Sequence, residues 1–326
     1  MTQRGSSRAV MILAFAAVYI IWGSTYIAIR YAIETLPPFL MAASRFLIAG
    51  SILFAWAKLN GNQGSWSFAH WRRAFVIGAL LLLCGNGSVT WAEKYIASGL
   101  AALLVATEPL WVVLLNWILT RKRPNAKVMV GVLIGLAGVA LLVSGGVNHE
   151  LNQSDVASTM SFVGAGVVLA AGFAWAAGSV YANRRPIKVA TSLASGMQML
   201  AGGSLLLLLG LIAGDLQRLN LAAASWVSLG AFAYLVVFGS LVAFTAYSWL
   251  LRNVTTARAA TYAYVNPVVA VLLGWLLASE PLTLRMAIAA AVIVCSVVLI
   301  TTYGAEHTQP AAASVHDSEC PTYRCA

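Results

Sequence analysis

The sequence predicts an all-α integral membrane protein with ten transmembrane helices, arranged as two inverted five-helix repeats. Of its 326 residues, 60% are hydrophobic and 9% are charged, whereas a soluble globular domain carries about 25% charged residues. Several apolar runs reach the roughly 20 residues needed to cross a bilayer. Two of these runs, residues 102–119 and 261–277, repeat each other without a gap, so that Pro109 falls on Pro267 at an offset of 158 residues.

Ten apolar runs are predicted as spans, and most of the connections between them are short. In chain order they are residues 9–29, 38–57, 73–92, 98–119, 127–146, 160–182, 191–213, 226–250, 257–278 and 284–303. No small-residue cleavage site follows the first run, and nine more spans come after it. We therefore interpret the first run as a retained helix rather than a signal peptide.

The spans divide the chain into five parts. We expect a cytoplasmic N-terminal segment (1–8), a first repeat (9–146), a periplasmic linker (147–159), a second repeat (160–303) and a cytoplasmic tail (304–326). The tail is polar and has no periodic pattern, and we expect it to be disordered.

The distribution of basic residues predicts the orientation. If the N-terminus is cytoplasmic, 15 Lys and Arg residues fall in cytoplasmic segments and four in outer segments. An excess of this kind is typical of cytoplasmic loops. It also supports the span count, because one missed helix would invert every later loop. With ten spans, both termini are expected in the cytoplasm.

The repeat extends beyond the two proline-containing runs. At an offset of 153 residues, Trp22 falls on Trp175 and Gly50 on Gly203. Because each half has five helices, the second half enters the membrane upside down relative to the first. Inverted repeats of this kind are typical of secondary transporters, which hold substrate near the bilayer midplane between the halves.

Glu108, near the middle of the fourth span, is the candidate coupling residue. A carboxylate at this depth is costly and marks a pathway, a proton relay or a paired charge. Its counterpart in the second half is Asn266, which does not titrate. We expect Glu108 to couple protons or contact substrate; the alternative is a structural ion pair or a side chain turned toward packed helices.

Arg45 is the other charge inside a predicted span, and its counterpart at an offset of 153 is Gln198. A guanidinium in the membrane must satisfy its donors on a carboxylate, on carbonyls or on water. The candidate partners are Glu108 and the carboxylate of an organic substrate. The alternatives are snorkelling toward the headgroups and a structural pair with helix-end carbonyls.

Pro109 and Pro267 are predicted to kink their helices. Each proline removes a backbone hydrogen bond and frees the carbonyl four residues earlier, at Val105 and Ala263. Freed carbonyls at membrane depth are tolerated where they face a cavity or a polar neighbour. The kinks are therefore expected to shape a cavity as well as the packing.

Aromatic and amide side chains complete the predicted substrate site. Helical spacing places Trp22 and Tyr26 on one face of the first span, and Trp111 on the face of Glu108. Such rings either hold an apolar metabolite or serve in core packing and interfacial belts. The predicted substrate-binding residues are Trp22, Tyr26, Arg45, Asn86, Glu108, Trp111, Trp175, Gln198, Tyr262 and Asn266.

Other classes of function are disfavoured. The net charge of +10 does not indicate a nucleic-acid partner, because the basic residues lie between apolar runs instead of forming one patch. Four scattered cysteines do not make a disulfide framework. All four histidines lie between spans or in the tail, so no metal site and no cofactor are expected. The pair Gly131 and Gly135 permits either close helix approach or dimerisation, which leaves monomer and homodimer open.

Four long segments resemble the EamA family of the drug/metabolite transporter superfamily. They are residues 20–50, 85–115, 173–185 and 260–283, and the resemblance spans about residues 8–303. It implies ten helices, a bacterial inner-membrane location, cytoplasmic termini and export of amino acids, related metabolites or toxic compounds. Two departures stand out. Lys122 occupies a position that is acidic in many members, although its repeat position keeps Glu280, and Glu108 stands where many members have a neutral residue.

These features predict a secondary transporter that exports small organic molecules by alternating access, with substrate, lipid and, through Glu108, protons as partners. The alternatives are an uncoupled facilitator of the same fold and a non-transporting membrane sensor or assembly partner. An enzyme is not expected, because HExxH, GxSxG and P-loop patterns are absent from the sequence.

Overall fold

The computed structural model describes residues 8–60, 67–121, 123–150 and 155–304, and this part of the chain is helical and contains no strand. Its ten long helices, α1 to α10, are in chain order Arg8–Ile33, Pro38–Leu59, Phe68–Ala92, Ser98–Thr120, Ala126–Glu150, Asp155–Arg184, Thr191–Ile212, Trp226–Asn253, Ala260–Ala278 and Leu284–Gly304. Apart from Arg8 and Gly304, the predicted N-terminal segment and C-terminal tail lie outside the described residues. The predicted linker is helical on both sides of residues 151–154, which are not described.

Eight of these helices are long and apolar enough to cross a membrane. The other two, α5 and α10, contain shorter apolar segments, Ala126–Gly138 and Leu284–Ile300. Large apolar side chains cover the outside of the helical bundle; Leu59, Phe68 and Trp226 are 84% to 89% exposed. In water such a surface would drive aggregation, whereas lipid tails solvate it, so the bundle is built for a bilayer.

Small residues bring two helix pairs into close contact. Between α2 and α7, a Cβ atom at Gly50 would lie 2.9 Å from the Met199 Cβ atom. Between α5 and α10, a Cβ atom at Gly131 would lie 2.9 Å from the Ile300 Cγ1 atom, and the Ser296 hydroxyl donates to the Gly131 carbonyl at 2.7 Å. The Gly131 and Gly135 pair therefore serves packing within the chain.

Three helices change to wider π-helical turns partway along their length. These segments are Ala17–Ile21 in α1, Ala79–Gly87 in α3 and Leu235–Phe244 in α8. A π-helical turn shifts the hydrogen-bond register and is frequent at functional sites. The sequence did not predict these segments, although their position controls which side chains of α3 and α8 point inward.

The helices α4 and α9 are interrupted where the prolines lie. In α4 one segment ends at Val105 and the next starts at Glu108. In α9 a 3₁₀ segment, Ala260–Tyr264, precedes an α-helical segment that starts at Asn266. The predicted kinks therefore take the form of breaks, because each proline occupies the first turn of a new helical segment, where its missing N–H costs little.

Candidate functional site

A cavity lies among the helices of the bundle; the empty space in and around it, including space open to solvent, is about 630 Å³. Its lining comes from α1, α2, α3, α4, α6, α8 and α9. None of the described lining residues belongs to α7, which the sequence had placed at the cavity. Ligand sites in proteins typically combine apolar walls with a few polar groups, and the lining residues here have that character.

Seven of the ten predicted substrate-binding residues line this cavity. They are Trp22, Tyr26, Arg45, Asn86, Trp175, Tyr262 and Asn266. The remaining three, Glu108, Trp111 and Gln198, are not among the lining residues. Residues from distant parts of the chain are thus brought together by packing.

An aromatic cluster consists of Trp22, Trp175, Tyr247 and Tyr262, and all of these except Tyr247 line the cavity. The Trp22 ring packs edge-on against Trp175 and Tyr262, with centroid distances of 5.4 Å and 5.3 Å. The Trp22 indole N–H donates to the Gly239 carbonyl at 3.2 Å, and the Trp175 indole N–H donates to the Tyr247 hydroxyl at 3.3 Å. Because their polar groups are bonded within the protein, the two indoles present mainly apolar ring surface to the cavity.

Arg45 supplies a positive charge on the cavity wall. The residue is 2% exposed, and its Nε–H donates to the Ser240 hydroxyl at 2.7 Å. Its guanidinium carbon lies 4.7 Å from the Phe46 ring centroid. The Nη1 atom has no hydrogen-bond partner among the described residues. At this burial Arg45 does not snorkel to the surface.

Arg45 and Glu108 do not form an ion pair. In the described part of the chain, the ion pairs join Arg30 to Glu280 and Arg218 to Asp215. Glu108, the first candidate partner predicted for Arg45, therefore does not pair with it in this conformation. The second candidate, a substrate carboxylate, stays a prediction.

Gly239 joins the charged wall to the aromatic cluster. A Cβ atom at this position would lie 2.7 Å from the Arg45 Nη2 atom and 3.1 Å from the Thr25 Cγ2 atom. The carbonyl of the same residue accepts the hydrogen bond from Trp22. Glycine thus leaves room for the guanidinium beside the rings.

Asn266 supports the π-helical part of α1. Its amide nitrogen, in the orientation that satisfies both ends of the amide, donates to the Tyr19 carbonyl at 2.8 Å. The Tyr19 hydroxyl in turn forms a 2.6 Å hydrogen bond with the Thr261 hydroxyl. These bonds link α1 to the break in α9, in keeping with the rule that irregular backbone at membrane depth needs polar partners.

Glu108 lies one layer behind the cavity. It is fully buried, and its Oε2 atom accepts a hydrogen bond from the Tyr262 hydroxyl, which belongs to the lining. Its Oε1 atom has no partner among the described residues. The residue starts the second segment of α4, where the helix dipole stabilises a negative charge.

Trp111 lies directly behind the lining residue Gly172, where a Cβ atom would be 3.7 Å from the Trp111 Nε1 atom, and Gln198 is outside the lining. The Trp111 ring packs edge-on against Phe173 with a centroid distance of 5.6 Å. Gln198 is buried on α7, the helix that packs against α2 and α3. Trp111 and Glu108 share a helix face, and both lie behind the lining residues.

Sequence reasoning missed Gly239, Ser240 and Tyr247, which contact Arg45, Trp22 and Trp175. Tyr247 follows Ser240 by seven residues, a spacing that an α-helical period places on one face, although the π-helical segment Leu235–Phe244 alters that period. That spacing was a usable signal in an otherwise apolar span.

Sequence reasoning also missed Glu93, which follows the last residue of α3. It is 1% exposed, and neither carboxylate oxygen has a hydrogen-bond partner among the described residues. It interacts electrostatically with Glu280, Arg30 and Arg45. The predicted span ended at residue 92, so Glu93 was assigned to a loop.

Glu280, which follows α9, forms hydrogen bonds with the first residues of α4. Its carboxylate accepts hydrogen bonds from the Ser98 amide and hydroxyl, both at 2.8 Å, and from the Gly99 amide at 3.1 Å. It therefore caps the start of α4 from the far end of α9. Within the described ranges, no three His, Cys, Asp or Glu side chains are grouped as a metal ion would require.

A family model matches both halves of the sequence. The model of the EamA-like transporter family matches residues 9–144 and 162–302. The chain belongs to this family.

Relatives from bacteria cover most of the chain. It is 42% identical over 289 residues to the uncharacterized inner membrane transporter YedA of Escherichia coli (strain K12), with 88% of this chain and 89% of the relative covered. It is 23% identical to the uncharacterized transporter YoaV of Bacillus subtilis (strain 168), with 89% and 96% covered. A solved structure described as "Crystal structure of protein" matches with a TM-score of 0.63 and 22% identity, covering 93% of this chain and 100% of the other. That last likeness concerns the fold.

Proposed function

We propose that this protein is a multi-pass inner-membrane secondary transporter that exports small organic molecules, such as amino acids or related metabolites, by alternating access. One observation carries the proposal: the interrupted and π-helical parts of four helices meet at one cavity, which holds a guanidinium and an aromatic cluster. Transporters typically form their midplane sites from discontinuous helices. The E. coli relative is named as an inner membrane transporter, which supports the location.

The proposed architecture is ten spans in two inverted repeats. Local irregularities recur at the 158-residue offset: the helix starts at Glu108 and Asn266, and the left-handed residues Arg121 (φ 57°) and Ser279 (φ 52°). The π-helical segments of α3 and α8 also overlap when one is shifted by this offset. Backbone irregularities at matching positions support duplication more strongly than similarity between apolar sequences does.

Helix packing gives further support to the two-fold relation. The helix α1 packs against α8 and α9, and α6 packs against α3 and α4. The counterpart of each helix lies five helices away in chain order, so that α1 corresponds to α6, α8 to α3 and α9 to α4. Replacing each helix by its counterpart converts the contacts of α1 into the contacts of α6. The pairs α2 with α7 and α5 with α10, which also pack together, convert into themselves. A pseudo-two-fold axis in the membrane plane predicts this arrangement.

We propose that a proton gradient, coupled to transport through Glu108, supplies the energy. The carboxylate is buried, close to the cavity and bonded to a lining residue. Exchange of a proton between Glu108 and water that enters the open cavity would change the charge next to bound substrate. An uncoupled facilitator would have the same cavity but transport that does not depend on pH.

The test starts with a ligand screen of the purified chain by thermal stabilisation, against amino acids, organic acids, nucleosides and organic cations. Ligands that stabilise the protein are then loaded, radiolabelled, into proteoliposomes, and efflux is compared with that from protein-free liposomes. Saturable efflux above the protein-free rate, competed by unlabelled ligand, is the expected result. Ligand binding without any flux would contradict transport and favour a membrane sensor.

A further inference from the structure

We propose that the cavity selects a small carboxylate with a single negative charge and an apolar, ring-sized body, in preference to a zwitterionic amino acid or an organic cation. The inference rests on the proposed function and specifies the substrate class of the same site. The geometry behind it is a buried guanidinium that lines the cavity next to the aromatic cluster.

The charge of the lining points to an anion. Among the described residues that line the cavity, Arg45 carries the only charge. Its Nε–H donates to Ser240, which fixes the direction of the guanidinium plane, and its Nη1 atom is buried without a hydrogen-bond partner among the described residues. A buried cation without a paired anion is costly. A carboxylate matches the planar fork of a guanidinium and forms strong, charge-assisted hydrogen bonds with it.

The acidic residues near the cavity do not replace such a ligand. Glu108 lies behind Tyr262 and is not part of the lining. Glu93 interacts electrostatically with Arg45, but it is outside the lining and its oxygens accept no hydrogen bond from the part of the chain that the structure describes. Neither carboxylate forms an ion pair with Arg45 within the described residues.

An ammonium group has no matching partner in the lining. Without a lining carboxylate, a zwitterion would lose hydration of its ammonium and gain only neutral acceptors such as Asn86, which costs affinity. Cation–π attraction to the aromatic cluster is available. However, the Arg45 charge in the same low-dielectric cavity opposes it.

The apolar part of the ligand follows from the aromatic cluster. The hydroxyl of Tyr262 and the indole N–H groups of Trp22 and Trp175 are all bonded within the protein. A polar ligand body would leave its own groups without partners against these rings. Gly239 adjoins both Arg45 and Trp22, so the carboxylate and the ring of the ligand need only a short linker between them.

The first test uses four ligands that share one ring and differ in charge: 3-phenylpropionate, 3-phenylpropanamide, phenylalanine and 2-phenylethylamine. Binding to the purified full-length protein in nanodiscs is measured by isothermal titration calorimetry. We expect 3-phenylpropionate to bind at least about tenfold more tightly than the amide and phenylalanine, the size of one charge-assisted hydrogen bond. We expect the amine to bind most weakly.

The second test uses variants of Arg45, the charged residue of the cavity lining. In Arg45→Gln the preference for the acid over the amide should fall to about onefold, because the charge that distinguishes them is gone. Arg45→Lys should keep part of the preference, since it retains the charge and loses the fork. Arg72→Gln is the matched control, because Arg72 is exposed on α3 and outside the cavity; its preference should equal that of the wild type.

Several results would overturn the proposal. They are tighter or equal binding of phenylalanine or 2-phenylethylamine by the wild type, no binding of 3-phenylpropionate in the millimolar range, and an unchanged acid preference in a folded Arg45→Gln variant. If that variant does not fold, the wild-type series still decides. Proteoliposome efflux of the four compounds separates the proposed transport function from the proposed carboxylate preference. Flux of phenylalanine alone would support transport and contradict the carboxylate preference. Carboxylate binding without flux would support the carboxylate preference and contradict transport.

Discussion

Tyr262 on α9 donates its hydroxyl hydrogen to the carboxylate of Glu108 on α4, so a residue that lines the cavity is bonded directly to a fully buried acid. The two residues come from opposite halves of the chain, 154 positions apart. Each lies at the interruption of its helix. A change of charge on Glu108 would therefore act on the contact between the two broken helices.

The Glu108→Gln variant should transport without responding to a pH gradient. Glutamine keeps an oxygen that accepts from Tyr262 but does not titrate, so the contact survives and coupling is lost. Efflux from proteoliposomes is measured for wild type and variant, each with and without a pH gradient. Tyr262→Phe, which removes the hydrogen bond and keeps the acid, is the companion variant and should retain some response. Equal rates in all four wild-type and Glu108→Gln conditions would rule out coupling through this residue.

The Gly239→Ala variant should lose affinity for carboxylate ligands by about tenfold or more. The added methyl would lie 2.7 Å from the Arg45 Nη2 atom, so the guanidinium must move, and forced repacking of this kind typically costs about 1–3 kcal/mol. Calorimetric titration with 3-phenylpropionate measures the loss. Gly230→Ala on the same helix is the control, because nothing lies within 4 Å of a Cβ atom there. Equal affinities in the two variants would show that Gly239 does not make room for Arg45.

The general form of the site was predictable because charge, aromaticity and helix spacing are local properties of the sequence. Trp22, Arg45 and Asn266 were identified as polar or amphipathic residues at membrane depth, and all three line the cavity. The distinction between lining and supporting residues was not predictable. Glu108 and Gln198 satisfy the same local criteria, but the packing of α4 and α7 turns them away from the cavity.

The π-helical segments were invisible to sequence reasoning for a physical reason. An α-helical period was assumed along every span, and a π-helical turn changes which residues share a face. In α8 this affects Gly239 and Ser240, which lie inside Leu235–Phe244. Predicting such a segment requires knowing the neighbours that compensate for the altered backbone, and those come from other helices.

The Glu280→Gln variant should be less stable, with a lower apparent melting temperature. The carboxylate accepts hydrogen bonds from the Ser98 and Gly99 backbone amides at the start of α4. In glutamine an NH2 group replaces one of the two oxygens, and this group would face one of the backbone N–H groups without accepting from it. Leaving a buried donor unsatisfied costs about 1–3 kcal/mol. Scanning fluorimetry in one detergent compares the variant with Glu34→Gln, whose side chain is exposed. Equal melting temperatures of Glu280→Gln and the wild type would contradict the capping role.

The inverted repeat makes a prediction about two equivalent, exposed positions, Arg121 and Ser279. They lie 158 residues apart, at the left-handed ends of α4 and α9. Inversion places equivalent residues on opposite sides of the membrane, and the distribution of basic residues places Arg121 inside.

Single cysteines at these two positions test the arrangement. Arg121→Cys and Ser279→Cys are introduced separately into a chain whose own cysteines, Cys84, Cys295, Cys320 and Cys325, are changed to alanine. A membrane-impermeant maleimide added to intact spheroplasts should label Ser279→Cys and should reach Arg121→Cys only after permeabilisation. Both variants are exposed and carry the same backbone conformation, so a difference in labelling reports the side of the membrane. Labelling of both in intact spheroplasts would mean that the halves are oriented alike, and the reverse pattern would mean that the whole bundle is turned over.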